Sequence, residues 1–216
     1  MANNWLVTSL HNPMHCSQSP SIVLNPGTGL NPLNDNMPPS IAANGFSLLT
    51  GTALHQSVVV EGLLQARSHV WIATADLKDM HIKQGRRFVP VLSVFDTLAE
   101  RGVSFRIVHA ALPSRPFRAS LEALPRLTSG ALELQICPRS HWKLLVVDHQ
   151  FAYCGSANFT GAGLGARSAR KRNMEMGFVT RTAAEVEQIA QAFDTFWVGD
   201  HCDDCGLRER CPDPVR

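Results

Sequence analysis

Residues 140–177 read SHWKLLVVDHQFAYCGSANFTGAGLGARSARKRNMEMG, and they combine the apolar pattern of a strand pair with a dense set of reactive and hydrogen-bonding side chains. His141, Lys143 and Asp148 fall in the order H-x-K-x4-D, Gly155, Ser156 and Asn158 follow as G-S-x-N, and Asn173 and Glu175 close the stretch as N-x-E. These residue types suit chemistry at a phosphodiester. An imidazole attacks phosphorus or passes a proton near neutral pH, because its unperturbed pKa is about 6.5. An ammonium, a hydroxyl and a carboxamide donate hydrogen bonds to non-bridging phosphate oxygens as charge develops on them. The Glu175 carboxylate is suited to orient His141 by accepting from its other ring nitrogen.

The spacing predicts a strand over 142–148. Side chains two apart share a face, so His141 and Lys143 project together while Leu144 and Val146 point into a core. After residues 148–150 the chain turns and returns through 151–154, which brings Gly155, Ser156 and Asn158 beside the first strand. A lone H-x-K would be read as ordinary polar residues at a strand end. Here five further positions agree in type and order, and a motif gains weight when its structural context also fits.

The stretch resembles the signature of the phospholipase D superfamily, and the resemblance covers about residues 50–198. It implies an α/β fold with a mixed sheet flanked by helices, and a phosphodiesterase that needs no catalytic cofactor. By that resemblance His141 is the nucleophile that forms a phosphohistidine, and the same histidine of a second motif is the general acid. Lys143, Ser156 and Asn158 are the phosphate cradle, Glu175 fixes the imidazole, and Asp148 is mainly structural support.

Many members carry two motifs in one chain. The only other H-x-K here is His81-Ile82-Lys83, but Phe88 stands where the aspartate should be and no G-S-x-N follows, so it reads as a solvated loop within the polar run 78–87. One motif per chain, in a family whose site uses two, implies a homodimer with the site on its two-fold axis, the commonest oligomer symmetry. The chain is similar in this respect to the single-motif bacterial endonucleases of the superfamily.

The composition, 216 residues with 44% apolar side chains and a net charge of +2, suits one globular domain with appendages. So small a net charge does not announce a nucleic-acid partner, and any basic surface must be local. Residues 1–45 are rich in Asn, Pro, Ser and Gly, as in NPGTGLNPLNDNMPPS at 25–40, and read as an irregular or mobile arm. Trp5 to Leu10 is too short and too polar for a secretory core, and no window reaches the eighteen or so apolar residues of a membrane span. The expected location is cytoplasmic.

From Thr52 onward the pattern alternates. Helical periodicity is expected at 52–67, 88–100, 117–124 and 183–197, and strands at 69–75, 103–109, 131–137 and 175–180. Such alternation predicts a layered α/β domain over 46–198, with a mostly parallel or mixed sheet. His55, His69 and His109 receive no functional role.

Between Thr160 and Asn173, GAGLGARSARKR holds three glycines, which make the loop flexible or allow close backbone approach, and then four cations: Arg167, Arg170, Lys171 and Arg172. A solvated basic loop is the bland reading. Beside a phosphate site the same cations suit the flanking phosphates of a nucleic-acid backbone, and Arg86, Arg87, Arg115, Arg118 and Arg139 would extend that surface if the fold brings them round.

In the tail, residues 199–216, Cys202, Cys205 and Cys211 follow C-x2-C-x5-C. Three cysteines in ten residues of an apparently cytoplasmic chain suit a metal better than disulfides. His201 adjoins Cys202, and neighbouring side chains diverge, so Cys137 is the better fourth ligand. Structural zinc is the first reading, an iron–sulfur cluster the alternative, and free thiols the remainder. Cys16 lies in the arm and Cys154 reads as a small core residue.

Taken together these features predict a metal-independent phosphodiesterase, a nuclease on DNA or RNA. The alternatives are a phospholipase or transphosphatidylase, disfavoured because no amphipathic docking helix is evident and the loop is basic, and a nucleic-acid binding module with little turnover.

Overall fold

A computed structural model of the chain describes residues 45–215. The expected arm, with Cys16, lies outside the described residues apart from Gly45. The apolar run Leu144-Leu145-Val146-Val147 forms the strand at the middle of the fold, and all four side chains are buried. Leu145 and Val147 enter one hydrophobic core while Leu144 and Val146 enter another on the opposite face. The strand therefore needs apolar residues at every position, as strands covered on both faces do, and His141 and Lys143 sit just ahead of it rather than on it.

The sheet has seven strands in the order β1-β9-β8-β7-β2-β5-β6. These are β1 (Phe46–Thr50), β2 (His69–Thr74), β5 (Ser104–His109), β6 (Leu132–Ile136), β7 (Leu144–Val147), β8 (Phe151–Gly155) and β9 (Met176–Thr180). β2, β5 and β6 run parallel, whereas β2–β7, β7–β8, β8–β9 and β9–β1 are antiparallel. The mixed sheet that the alternation predicts is thus observed. Its larger core takes side chains from α1 (Thr52–Leu54) and the π-helical turn after it (His55–Val60), from α2 (Val91–Glu100) and from α3 (Arg115–Glu122). On the other face α4 (Ala183–Trp197) packs over β7 and β8 through Val186, Ala190, Phe193 and Trp197.

Two expectations are corrected. The run 78–87 is not a loop: His81–Gln84 (β3) and Arg87–Pro90 (β4) form an antiparallel hairpin that turns at Gly85, whose φ of 59° lies in the left-handed region glycine tolerates. Ile82 is fully buried beneath it while His81 and Lys83 are exposed, which is strand alternation masked by polar residues. Phe88 accordingly belongs to β4, and the helix starts at Val91. Strand β1 was expected by no periodicity; Ser47 and Leu49 face inward and Phe46 and Leu48 outward at the sheet edge.

Candidate active site

One end of the sheet gathers the start of β7, the end of β8, the start of β9 and the end of β2, because neighbours in this part of the sheet run antiparallel. His141 and Lys143 precede β7, Ser156 and Asn158 follow β8, and Asn173 and Glu175 precede β9, so the topology brings these motif residues to the same edge. The backbone N–H of Gly155 donates to Lys143 O at 3.1 Å and that of Ser156 to Met176 O at 2.9 Å, which ties the three segments together.

The imidazole of His141 is exposed. Lys143 Nζ donates to His141 O at 2.7 Å and lies 3.1 Å from His141 Nδ1. Burial pushes the Lys143 ammonium below its ordinary pKa, and the Glu175 carboxylate partly opposes that. The expected contact between Glu175 and His141 is not present within the chain. Glu175 instead accepts from the Ser156 hydroxyl and, at 3.1 Å, from Asn173 Nδ2, while Ser156 Oγ accepts from the Met176 N–H at 3.1 Å. The reason is the pairing of β8 with β9, which sets Glu175 directly beside Ser156.

Asn158 Oδ1 accepts from the backbone N–H groups of Ala75 and Asp76, both at 3.1 Å, and from the Thr74 hydroxyl at 3.2 Å, while its Nδ2 makes no hydrogen bond among the described residues. Thr74 supports this turn, accepting from Phe159 N–H at 2.9 Å, as does Tyr153, whose buried hydroxyl accepts from Ala157 N–H at 3.2 Å. Burial raises the Tyr153 phenol to about 12. Neither residue was singled out from sequence, and only the chain reversal around G-S-x-N pointed to them. The glycine of that motif has a packing reason: a Cβ at Gly155 would sit 2.4 Å from the Tyr153 hydroxyl, and one on its partner Gly177 would sit 2.4 Å from the Tyr153 ring.

Asp148 stands apart from the other motif residues. It lies five positions beyond Lys143, roughly 16 Å at the usual strand rise, and so at the far end of β7. There its carboxylate accepts from Arg67 N–H and Ser68 N–H at 2.8 Å, Ser68 Oγ at 2.8 Å and His69 N–H at 2.9 Å. Burial works to raise its pKa, yet the hydrogen bonds from His69, Ser68 and Arg67 prevail and hold the carboxyl below the ordinary range. Asp148 and His149 both adopt positive φ, and Gln150 N–H closes the turn onto Val147 O at 2.9 Å.

The glycine-rich loop is wound tightly, contrary to the flexible reading. A Cβ at Gly163 would lie 2.4 Å from Asn158 O, and one at Gly165 2.5 Å from Gly161 Cα. Arg172 is spent on this loop, donating to Gly163 O at 2.9 Å and Gly165 O at 3.2 Å. Arg167, Arg170 and Lys171 are exposed. Ala166 N–H donates to His81 O, so the loop adjoins the β3–β4 hairpin that carries Arg86 and Arg87. Arg118 donates to Pro113 O at 3.1 Å, and Arg139 lines the cavity of the tail cysteines.

In the tail, Cys202, Cys205 and Cys211 line one cavity with Cys137, and all are free thiols. Among the described residues no group of three or more His, Cys, Asp or Glu is arranged to hold a metal ion as it stands. No described helix is long and apolar enough to cross a membrane.

The sequence model of one family, described as "Cardiolipin synthase, PLD-like domain", matches residues 59–197. The chain belongs to the phospholipase D-like family. Its fold is similar to that of NucT from Helicobacter pylori, with a TM-score of 0.51 at 14% identity over 70% of this chain and 94% of that one. Two further solved structures match more loosely. Nuc from Salmonella typhimurium, a phospholipase D family member, gives 0.48 at 18% identity over 70% and 94% of the two chains. The archaeal chromatin protein TrmBL2 gives 0.46 at 15% over 72% and 53%. No curated protein matches the sequence. The phospholipase D-like match spans every motif residue from His141 to Glu175, whereas the cysteines of the tail lie beyond it.

Proposed function

We propose that this chain is a phosphodiesterase that cleaves nucleic acid through a phosphohistidine on His141, with a second copy of the chain lending the acid. The observation that carries the reading is the gathering of His141, Lys143, Ser156, Asn158 and Glu175 at one sheet edge, all within the stretch that the phospholipase D-like family model matches. The imidazole attacks phosphorus, the P–O bond to the leaving group breaks, and the partner's imidazole protonates the departing oxygen. That imidazole then takes a proton from water, whose oxygen attacks phosphorus and releases His141. Lys143 and the free Nδ2 of Asn158 meet the non-bridging oxygens. An incoming phosphate draws the Lys143 ammonium off the ring, so cradle and nucleophile become available in one movement.

The second copy is required because one chain offers one motif histidine, and the fold offers a surface for it. Phe46, Leu48, Met176 and Phe178 are exposed on the face of β1 and β9 turned away from the larger core, beside Glu175. Nucleic acid is preferred as substrate because Arg167, Arg170 and Lys171 stand free next to the site. The chemistry as drawn needs no catalytic metal.

The test incubates the protein with labelled single- and double-stranded DNA, RNA and anionic phospholipid vesicles, with and without EDTA, beside His141→Ala. Nucleic-acid cleavage that survives EDTA and disappears in His141→Ala is the expected result. The family model's cardiolipin synthase description supports a second reading, phosphatidyl transfer, and cleavage of lipid alone would establish it in place of the first. Tight binding to DNA without cleavage would instead mark a binding module. Phe178→Asp should yield a monomer with activity reduced at least a hundredfold, and a fully active monomer would overturn the shared site.

A further inference from the structure

Four of the five described cysteines meet where β6 ends. Cys137 follows the last residue of β6, and the tail folds back so that Cys202, Cys205 and Cys211 line the same cavity of about 20 Å³, room for one water-sized occupant. The return is pinned at both ends: Gln135 Nε2 donates to Trp197 O at 3.3 Å, and the Ile136 N–H donates to Asp213 Oδ2 at 2.9 Å. Yet none of residues 200–215 is fully buried, so the tail brings no apolar core of its own to hold it in place. A segment of that kind is normally fixed by a covalent or metal crosslink.

Tight turns hold the backbone around the sulfurs. Ser140 N–H closes onto Cys137 O at 2.9 Å, and Cys205 N–H closes onto Cys202 O at 3.2 Å. Two guanidinium groups, Arg139 and Arg208, line the same cavity, and they offset the net negative charge that four thiolates leave around a divalent ion.

We infer that Cys137, Cys202, Cys205 and Cys211 form a tetrahedral four-thiolate site for a single zinc ion. As the side chains stand they are not drawn together into a coordinating set. A 120° step in χ1 carries a cysteine sulfur roughly 3 Å, and none of the four is fully buried. Binding releases one proton from each of the four thiols and leaves every sulfur bonded to the ion. The ion ties the tail to the turn that leads, within four residues, from Cys137 to His141. It is a positioning device for that turn and is independent of the reading of His141 as nucleophile.

The experiment is elemental analysis of the full-length protein purified without chelator, with thiol titration in the native and denatured states. About one equivalent of zinc per chain is expected, with the four thiols protected until the protein is denatured. Cys202→Ser and Cys137→Ala should each lower zinc below about 0.2 equivalents, Cys137→His should restore it, and Cys154→Ala should leave it unchanged. Chelation should lower the thermal midpoint of the wild type but not of Cys202→Ser. Four freely titrating thiols with no metal, a disulfide among them, or a brown protein absorbing near 400 nm would each overturn the assignment.

Discussion

Replacing Asp148 by alanine separates architecture from chemistry within the H-x-K-x4-D motif. The carboxylate accepts four hydrogen bonds from Arg67, Ser68 and His69 across the gap between β7 and the start of β2. Hydrogen bonds to a charged acceptor contribute roughly 1.5–3 kcal/mol each. Arg67 and Ser68 are exposed, so water re-solvates their N–H groups and most of that sum is recovered. Alanine at a φ of 53° adds roughly 1 kcal/mol of backbone strain. The net loss is then about 3 kcal/mol, or roughly 6–12 °C in the thermal midpoint of a domain this size. Asp148→Asn keeps a residue tolerant of the left-handed turn and one acceptor oxygen, so it should lose about half as much.

The dependence on pH has a definite sign. The folded carboxyl is held below its unfolded value by those hydrogen bonds, against the opposing effect of burial. Its contribution is therefore complete above the unfolded pKa and disappears as pH falls through the folded one. The gap between wild type and Asp148→Asn, followed by circular dichroism melts from pH 7 downward, should close on the acid side. Cleavage per folded molecule should stay within a few-fold of wild type in both variants. An unchanged melting temperature would refute the anchoring role, and a thousandfold loss of turnover in a folded Asp148→Asn would show that the residue takes part in the chemistry after all.

Gly177→Ala should lower stability by about 2–4 kcal/mol in denaturant titrations, because the added Cβ meets the Tyr153 ring at 2.4 Å and Cys154 O at 2.9 Å, and neither can withdraw. Replacing Arg170 and Lys171 together by alanine should reduce the slope of log K against log salt for a DNA duplex by about 1.8 while the thermal midpoint stays put. Arg172→Ala should do the reverse, lowering stability by about 1–2 kcal/mol through two lost carbonyl contacts and leaving the slope nearly unchanged. Burial also holds His55, His69 and His109 below the ordinary imidazole pKa. Their lowered folded values mean stability is complete above the unfolded pKa of about 6.5 and falls as pH drops below it. Urea midpoints between pH 7.5 and 5 should show that decline, and His109→Gln should show less of it.

What could be read before the fold was known followed the strength of the local signal. Helix 183–197 was placed to the residue because its apolar stripe faces one core. The hairpin at 81–90 was missed because Ile82 is the only fully buried side chain among its polar neighbours, so no alternation stood out. Strand β1 was missed because two of its three outward residues, Phe46 and Leu48, are as apolar as Leu49 inside. The proximity of Lys143, Ser156, Asn158 and Glu175 was legible, since antiparallel pairing of short strands forces it. The partner of Glu175 was not, because register decides it: Gly155 opposite Gly177 sets the carboxylate against Ser156 instead of His141.

That register bears on the reaction we propose. Glu175, bonded to Ser156 and Asn173, makes no hydrogen bond to His141 within the chain, and Lys143 Nζ instead lies 3.1 Å from the Nδ1 of that ring. For Nε2 to attack phosphorus the proton must reside on Nδ1, and a protonated lysine beside Nδ1 disfavours that tautomer. Under the proposed reaction the ammonium, 3.1 Å from Nδ1 and 3.5 Å from Nε2, must leave the ring before His141 can attack. Two events enable that attack: a phosphate that attracts Lys143, and a second chain whose imidazole stands opposite. If both are needed, turnover per chain should fall on dilution below the dimer dissociation constant, and the fall should be steeper than substrate binding alone, because a monomer still binds phosphate with Lys143 and Asn158 yet has no acid for the leaving oxygen.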